Sequence, residues 1–236
     1  MLARTAALWH RAGAFDQERA LGYVESRTEG DGGGMGSLSG AVIFITGASS
    51  GIGAAVALEA ARQGADLVLA ARREQRLREL SGELEVLGGR VLVVRCDVTR
   101  DGDVEEAVAA ARAEFGRIDH VVANAGFGVV GPFAKLGLED FRRQFETNVF
   151  GVLRTVAATR EDLIASRGCL ALIGSVNSYL PFPETSPYSM SKFAVRALAS
   201  SLWYELRPHG VGVVLVAPGF VESEIRKVDN LGVLHP

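Results

Sequence analysis

Short apolar runs alternate with longer amphipathic segments along this chain from residue 41 onward. The first run, 41–46, and the last, 211–216, are apolar almost throughout rather than at every second position. Runs of this kind are typical of strands buried on both faces, as in parallel sheets covered by helices. We therefore predict an α/β fold, a doubly wound parallel sheet with helices on both faces. The predicted strands are 41–46, 66–71, 91–95, 119–123, 170–173 and 211–216, and the predicted helices are 54–63, 74–87, one capped by Asp101 and reaching Phe115, 138–166 and 187–207.

The composition argues against certain classes of binding partner. The chain has 236 residues, of which 48% are hydrophobic and 22% charged, and its net charge is −3. This balance gives no support for a nucleic acid or an anionic membrane surface as a partner. No apolar run is as long as a membrane span. Cys96 and Cys169 adjoin apolar runs without metal-ligand spacing. We therefore predict two buried, reduced thiols, no metal site and a cytoplasmic location.

A glycine-rich turn, Thr46–Gly53, follows the first predicted strand and opens a helix. Gly47 permits a tight turn, while Gly51 and Gly53 let the backbone approach a ligand closely. The free N–H groups and the dipole at the start of a helix favour a phosphate there. We interpret the turn as a dinucleotide fingerprint, with a glycine-rich turn that binds no ligand as the alternative. The predicted contacts are Gly47, Ser49, Ser50, Gly51, Ile52 and Gly53.

The end of the second strand predicts which dinucleotide is bound. An acidic residue there would bind the adenosine ribose hydroxyls of NAD, but the strand ends in Ala70-Ala71 and is followed by Arg72-Arg73. A guanidinium can instead pair with a 2′-phosphate through two hydrogen bonds. We therefore predict NADP(H) over NAD(H), with Arg72 as the main contact and Ser49 or Ser50 assisting. The alternative is that the two arginines merely begin a solvated helix.

The segment Ser175–Lys192 carries the residues suited to proton transfer. Tyr188 and Lys192 are four residues apart and share one face of a predicted helix. Ser186 can cap that helix, and Pro187 suits its first position. Because the tyrosine lies near the positive end of the helix dipole and beside a lysine, we expect it to lose its proton more easily than a free phenol. Taken alone, the pattern also fits an ordinary amphipathic helix with a surface lysine.

Together these motifs resemble those of the short-chain dehydrogenase/reductase family, whose fold is a Rossmann-type sheet. The resemblance covers 41 to about 223. The matching motifs stand in the family's order and approximate spacing: Thr46-Gly-x-x-x-Gly-x-Gly53, Asn124-Ala125-Gly126, Asn148, Ser175, Tyr188-x-x-x-Lys192 and Pro218-Gly219. Ala123 stands where the family has a first asparagine, and Ser223 stands where it usually has threonine.

The resemblance implies a role for each matching residue. Tyr188 would be the catalytic acid and base, Lys192 would lower its pKa and bind the nicotinamide ribose, and Ser175 would polarise the substrate carbonyl. Asn148 would hold a water in a proton relay to the lysine. The other implied cofactor contacts are Asp97 and Val98 at the adenine, Asn124, Ala125 and Gly126 at the adenosine half, and Pro218, Gly219, Val221 and Ser223 in the loop that holds the carboxamide.

We therefore expect an NADP(H)-dependent oxidoreductase that acts on a carbonyl or alcohol substrate. Two alternatives are a non-catalytic NADP(H)-binding scaffold or redox sensor, and a related epimerase or dehydratase. The family also suggests a homodimer or homotetramer formed through helices 138–166 and 187–207, although Val195, Leu198 and Leu202 can equally face their own sheet. Phe127, Leu180, Phe182 and Phe220 suggest an apolar substrate, and plain loop packing explains them about as well.

The two ends of the chain depart from the family pattern. Residues 1–29 have apolar residues suited to a short amphipathic helix, and 30–36 have the composition of a flexible linker. Asp16 and Glu18 argue against a transit peptide, and no secretory core is present. We expect a flexible extension at 1–36, or a translation start at Met35, and a Rossmann-fold dinucleotide-binding and catalytic domain at 37–236. The family continues beyond Pro236, so we expect the C-terminal strand to be missing.

Overall fold

The computed structural model describes residues 23–25, 38–219, 221 and 230. Its elements follow the predicted alternation of strands and helices. The strands are β1 Tyr23–Glu25, β2 Val42–Thr46, β3 Asp66–Ala71, β4 Val91–Arg95, β5 His120–Ala123, β6 Cys169–Ile173 and β7 Gly212–Ala217. The helices are α1 Gly51–Arg62, α2 Glu74–Glu85, α3 Asp103–Phe115, α4 Leu138–Phe145, α5 Gly151–Ser166 and α6 Ser186–Leu206.

One sheet contains these strands in the order β1-β7-β6-β5-β2-β3-β4. The six strands from β2 to β7 pair in parallel, so the predicted doubly wound parallel sheet is confirmed. Strand order reverses between β2 and β5, which lie side by side although 73 residues lie between Thr46, the end of β2, and His120, the start of β5. In an open α/β sheet, the loops that leave such a pair diverge and open a crevice at the carboxyl edge.

Side chains of the central strands enter two separate cores. Phe44 belongs to the core on one face of the sheet and Ile45 to the core on the other, and both are fully buried. Helix α1 covers the second face through residues such as Val56, whereas α3 and α6 cover the first through Val104 and Val195. Burial on both faces explains why the strands are apolar throughout. Leu202 is also buried in the first core and Leu198 packs against it, so these α6 residues face their own sheet.

The region predicted as one helix, 138–166, contains an interruption. A five-residue π-helical turn, Glu146–Phe150, joins α4 to α5 and contains Asn148. Such turns insert an extra residue into a helix and are frequent at functional sites. The apolar pattern does not predict the turn because the residues on both sides keep helical dihedral angles.

Two predicted helix caps were wrong. Helix α3 begins at Asp103 after Gly102, whose φ of +92° suits glycine, while Asp101 accepts a hydrogen bond from Arg154 Nε at 2.8 Å. Helix α6 begins at Ser186, so that Thr185 and not Ser186 takes the capping position, without a side-chain cap bond. Asp101 and Thr185 instead bond to Arg154 and Asn177, partners that local sequence signals do not reveal.

Strand β1 was not predicted. Its backbone pairs antiparallel with β7, with Tyr23 opposite Ala217, and it forms the edge of the sheet. A three-residue strand carries no periodicity that a sequence argument can use. The rest of 1–36, together with Phe220 and Ser223, lies outside the described residues, and the division into extension and domain stays a prediction.

Neither of the two cysteines forms a disulfide, and both are buried, as predicted. Within the described ranges, no helix combines the length and hydropathy needed to cross a membrane.

Candidate active site

A cavity of about 860 Å³ opens at the carboxyl edge of the sheet, beside the switch point between β2 and β5. Predicted site residues from the segments that follow six different strands meet in this cavity. Gly53 and Asn148 lie outside its lining, and Ser223 lies outside the described residues. The predicted site residues that line it are Gly47, Ser49, Ser50, Gly51, Ile52, Arg72, Asp97, Val98, Asn124, Ala125, Gly126, Ser175, Tyr188, Lys192, Pro218, Gly219 and Val221.

The glycine-rich turn is fastened to the loop that follows β5. Asn124 Nδ2 donates to the carbonyl oxygens of Thr46 at 3.0 Å and Gly47 at 3.1 Å. Thr46 Oγ1 accepts from the backbone N–H groups of Asn124 at 3.1 Å and Ala125 at 3.2 Å. These four bonds join the two loops on either side of the switch point, and they commit the Asn124 side chain to the protein.

The glycines of the turn serve different needs. Gly47 and Gly51 have φ angles of +65° and +55°, in the left-handed region that glycine adopts without strain. Gly53 is required for another reason. A Cβ atom on it would lie 2.6 Å from Asn124 Nδ2 and 2.6 Å from the Gly47 carbonyl oxygen. We predicted that Gly53 approaches a ligand, whereas its close neighbours are the protein's own turn and loop.

The N-terminus of α1 is suited to an anion. Ser50 occupies the capping position but makes no side-chain cap bond to the helix, and Gly51 and Ile52 line the cavity. The first N–H groups of a helix lack partners within it and carry the positive end of its dipole. A phosphate at this end would therefore meet free donors without displacing a capping side chain.

The arginine pair after β3 lies beside the same turn. Arg73 Nη2 donates to Ser50 Oγ at 2.7 Å and to Ser49 Oγ at 3.1 Å. Arg72 is exposed and lines the cavity, and no carboxylate stands at this strand end. We predicted Arg72 as the main contact and did not predict the fixed position of Arg73, because the two serines that orient Arg73 are more than twenty residues away.

The turn after β4 is ordered by its own polar groups. Asp97 Oδ1 accepts hydrogen bonds from the Thr99 backbone N–H at 3.0 Å and from Thr99 Oγ1 at 2.8 Å. The Asp97 N–H donates to Asp103 Oδ2 at 3.0 Å, at the start of α3. These bonds hold Asp97 and Val98 at the cavity wall.

Ser175, Tyr188 and Lys192 meet at the end of β6. Ser175 caps the 3₁₀ turn Val176–Ser178, and its side chain acts on the Tyr188 phenol, in the first turn of α6, in the direction that lowers the phenol's pKa. Lys192 Nζ donates to the Ile173 carbonyl oxygen at 2.7 Å and lies 5.6 Å from the centre of the tyrosine ring. A hydroxyl donor, a phenol and an ammonium therefore share one wall of the cavity.

The ionisation of this group differs from the sequence-based expectation. Burial raises the pKa of Tyr188 above its usual value, although the hydrogen bond with Ser175 acts in the opposite direction. Burial also lowers the pKa of Lys192 to about 8. The expectation that Tyr188 loses its proton more easily than a free phenol was wrong for this structure. The cause is the loss of solvation, which a sequence pattern does not report.

Asn148 and Gln144 hold one wall of the site. Asn148 Oδ1 accepts from the Phe127 N–H at 3.1 Å, and Asn148 Nδ2 donates to the Phe127 carbonyl at 3.0 Å and to Ser191 Oγ at 3.2 Å. Gln144, fully buried one helical turn earlier, accepts from the Val129 N–H at 2.6 Å and donates to the Phe127 carbonyl at 2.8 Å. Gln144 was not predicted. Its only indication in the sequence is its spacing of four residues from Asn148, which places both on one helix face.

The loop after β7 completes the lining. The Pro218 carbonyl accepts from the Val176 N–H at 2.9 Å, which attaches this loop to the turn that carries Ser175. Gly219 and Val221 line the cavity beside it. Among the residues placed by the structure, no group of three or more His, Cys, Asp or Glu side chains could hold a metal ion.

Gly53→Ala should lower the free energy of unfolding by about 1–3 kcal/mol, because the added methyl group has no space between the turn and Asn124. Gly82, within α2, has open space around the same position, so Gly82→Ala is the matched control. It should raise stability by about 0.5–1 kcal/mol through helix propensity. Urea unfolding followed by circular dichroism measures both. Equal stability of the two variants would contradict the close packing at Gly53.

Similarity to known proteins agrees with this geometry. The sequence model described as short chain dehydrogenase matches residues 41–232. The 11-beta-hydroxysteroid dehydrogenase A of Sesamum indicum is 39% identical over 190 residues, which are 80% of this chain and 54% of that protein. An uncharacterized oxidoreductase of Myxococcus xanthus is 36% identical over 197 residues, which are 83% of this chain and 78% of that protein. The chain thus spans about half the length of the plant relative.

Solved structures of dehydrogenases are similar to this chain as well. A short-chain dehydrogenase/reductase from Burkholderia phymatum, in complex with NAD, has a TM-score of 0.77 and 33% identity, over 81% of this chain and 69% of that one. An alcohol dehydrogenase from Thermococcus sibiricus, complexed with 5-hydroxy-NADP, has a TM-score of 0.69 and 36% identity, over 72% of each chain. The chain belongs to the short-chain dehydrogenase/reductase family, whose members are oxidoreductases that use a nicotinamide cofactor.

Proposed function

We propose that this protein is an NADP(H)-dependent oxidoreductase that interconverts a carbonyl compound and the corresponding alcohol. One observation carries the proposal. Ser175, Tyr188 and Lys192 line the same cavity as the glycine-rich turn, and the Lys192 ammonium lies 5.6 Å from the centre of the Tyr188 ring. These are the groups that a reacting carbonyl oxygen requires, next to a site suited to a dinucleotide.

The chain's own residues fit such a dinucleotide. The uncapped start of α1 offers backbone donors to a pyrophosphate, and Gly47 and Gly51 leave no side chain in the way. We assign Asp97 and Val98 to the adenine end of the dinucleotide and Pro218 and Gly219 to its carboxamide, and all four residues line the cavity. When bound, the nicotinamide supplies or accepts the hydride at the reacting carbon.

Tyr188 is the proposed proton donor in reduction and the proton acceptor in oxidation. Its hydroxyl gives a proton to the carbonyl oxygen while Ser175 donates a hydrogen bond to the same oxygen. Both interactions strengthen as negative charge develops on that oxygen, so they stabilise the transition state more than the bound substrate. The raised pKa of Tyr188 keeps the phenol protonated at neutral pH, which suits the reduction.

Lys192 is the proposed electrostatic partner of the tyrosine. With a pKa of about 8, its ammonium is mostly protonated at neutral pH, and a nearby positive charge favours the phenolate that follows proton transfer. We also keep as a proposal that Asn148 takes part in a water-mediated relay to the lysine. The Asn148 side chain itself is bonded to Phe127 and Ser191.

Tyr188→Phe should lower turnover by about 10²–10⁴-fold, because the proton donor is lost while the ring keeps its packing. NADPH affinity should change by less than about twofold, since the phenol is not needed to hold the dinucleotide. NADPH oxidation with benzaldehyde, acetophenone and cyclohexanone measures turnover, and NADPH fluorescence measures affinity. Tyr204→Phe, which alters an exposed tyrosine on the same helix, is the control and should remain active. A Tyr188→Phe variant that keeps most of its activity would refute the assignment.

The preference for NADP(H) rests on the cations after β3. Arg73 is directed to the glycine-rich turn by Ser49 and Ser50, Arg72 is exposed at the cavity, and a 2′-phosphate there would meet two guanidinium groups and no carboxylate. An Arg–phosphate pair is charge-assisted and often doubly hydrogen-bonded.

Arg72→Ala and Arg73→Ala should each raise the KM for NADPH by about 10–100-fold, which corresponds to the loss of one charge-assisted contact. The KM for NADH should stay within about twofold because NADH lacks the 2′-phosphate. Arg76→Ala, which removes a guanidinium from the exposed face of α2, is the control. A wild-type protein that prefers NADH, or equal losses for both cofactors, would overturn the proposal.

The proposed substrate is apolar around its reacting group. Phe127, Val130 and Phe182 line the same cavity as Tyr188. The charged residues of the described lining other than Lys192 are Arg72, Arg73 and Asp97, all of which follow β3 or β4. Leu180, which we grouped with the phenylalanines, is exposed and does not line the cavity.

We also propose that the protein forms a homodimer or homotetramer through α5, the π-helical turn and α6. Phe150, Leu153, Met190 and Phe193 are exposed on these elements, with exposed fractions of 38–51%. Burial of such side chains against a second copy would be favourable.

Phe193→Glu should therefore reduce the particle mass measured by light scattering, from a multiple of 25.0 kDa towards the monomer. Val86→Glu, an equally charged change at an exposed site on the segment after α2, should leave it unchanged. A monomeric wild-type protein would contradict the proposal.

A further inference from the structure

Asn177 connects the turn that carries Ser175 to the helix that carries Tyr188. It lies in the 3₁₀ turn after β6 and is buried, with 7% of its surface exposed. Its Nδ2 donates to Ser189 Oγ at 2.9 Å and to Thr185 Oγ1 at 3.1 Å. Ser189 directly follows Tyr188, so these bonds end in the same helical turn as the phenol.

The other end of Asn177 contacts the serine itself. The Asn177 backbone N–H donates to Ser175 Oγ at 3.1 Å, and Ser175 Oγ lies 3.5 Å from Asn177 Oδ1. Asn177 therefore contacts the Ser175 hydroxyl beside the 3₁₀ turn, and it also contacts residues close to Tyr188 at the start of α6. A shift of α6 relative to the 3₁₀ turn would break these bonds.

The hydrogen-bond donors of the Asn177 amide are not available to a substrate. An asparagine amide carries two N–H donors, and here Thr185 and Ser189 accept both of them. Although Asn177 lines the cavity, its Nδ2 has no donor left for a carbonyl oxygen. The Asn177 amide nitrogen therefore acts on protein groups rather than on a ligand.

The start of α6 depends on this connection. Thr185 occupies the capping position but makes no side-chain cap bond to the helix. Its hydroxyl instead donates to the Phe182 carbonyl at 2.7 Å and lies 2.8 Å from Ser189 Oγ. The first turn of the helix is thus held from outside, by a network that includes Asn177.

We propose that Asn177 is a positioning residue, which fixes the distance between the Ser175 and Tyr188 hydroxyls by joining the 3₁₀ turn to the first turn of α6. The effect on catalysis rests on the proposed function, whereas the effect on geometry does not. Lys192, whose ammonium lies 5.6 Å from the Tyr188 ring, is the charged group beside the phenol, and all the variants below retain it.

Titration of the Tyr188 phenol tests the proposal without any need for turnover. Near-ultraviolet absorbance follows phenolate formation, and subtraction of the Tyr188→Phe titration isolates this residue among the protein's four tyrosines. Asn177→Ala should raise the pKa of Tyr188 by about half a unit to one unit, because the hydrogen bond with Ser175 lowers that pKa and would be weakened. Ser189→Ala, which removes the other end of the connection, should give the same shift.

The double variant Asn177→Ala/Ser189→Ala should shift the pKa no further than either single change, since both remove one connection. Ser81→Ala is the control, because it removes a buried serine hydroxyl of α2 that donates to Glu85 Oε1 at 2.9 Å in the same helix. It should leave the titration unchanged. If Asn177→Ala does not fold, Ser189→Ala alone still decides the question, because it removes a single hydroxyl.

An unchanged Tyr188 titration in the folded variants, or shifts that add in the double variant, would overturn the proposal. In an active enzyme, kcat/KM should fall by about tenfold in each single variant and no further in the double, with NADPH affinity unchanged. A protein without activity but with the expected titration shifts would contradict the proposed function and leave the positioning role of Asn177 intact.

Discussion

The hydrogen bonds between Asn124, Thr46 and Gly47 hold together the two loops from which the rest of the site is built. They cross the boundary between β2 and β5, where the strand order reverses and the loops would otherwise diverge. Gly53 lets α1 approach this junction, so the uncapped end of the helix lies at the cavity. The donors offered to a phosphate and the wall beside them therefore depend on one partly buried set of polar contacts.

The reactive groups are placed by the opposite half of the sheet. Ser175 follows β6, and Tyr188 and Lys192 come from the first turns of α6. Burial has two effects on them, since it keeps the phenol protonated and brings the pKa of the lysine to about 8. Under the proposed function, the protonated phenol is the proton donor of the reduction, and the lysine, mostly protonated at neutral pH, is the positive charge beside it. Side-chain hydrogen bonds preserve the geometry of these groups.

Sequence reasoning predicted the features that have local or periodic signals. The apolar runs predicted the parallel sheet because strands buried on both faces are apolar at nearly every residue. The spacing of the motifs predicted most of the residues that line the cavity. Sequence reasoning missed contacts between distant segments. Arg73 is oriented by serines of another loop, and Gln144 and Asn177 act through backbone and hydroxyl groups that the chain brings together only when folded. The pKa of Tyr188 was misjudged for the same reason, because burial is a property of the packed structure.

The path of the hydride tests the central claim most directly, namely that this cavity transfers hydride between a nicotinamide and a carbonyl carbon. The protein is incubated with benzaldehyde and with NADPH that carries deuterium at the transferable position, and mass spectrometry follows the product. We predict benzyl alcohol with one deuterium on its carbinol carbon, formed in proportion to the NADPH consumed. Unlabelled alcohol, or NADPH oxidation without any alcohol, would contradict this account of the site.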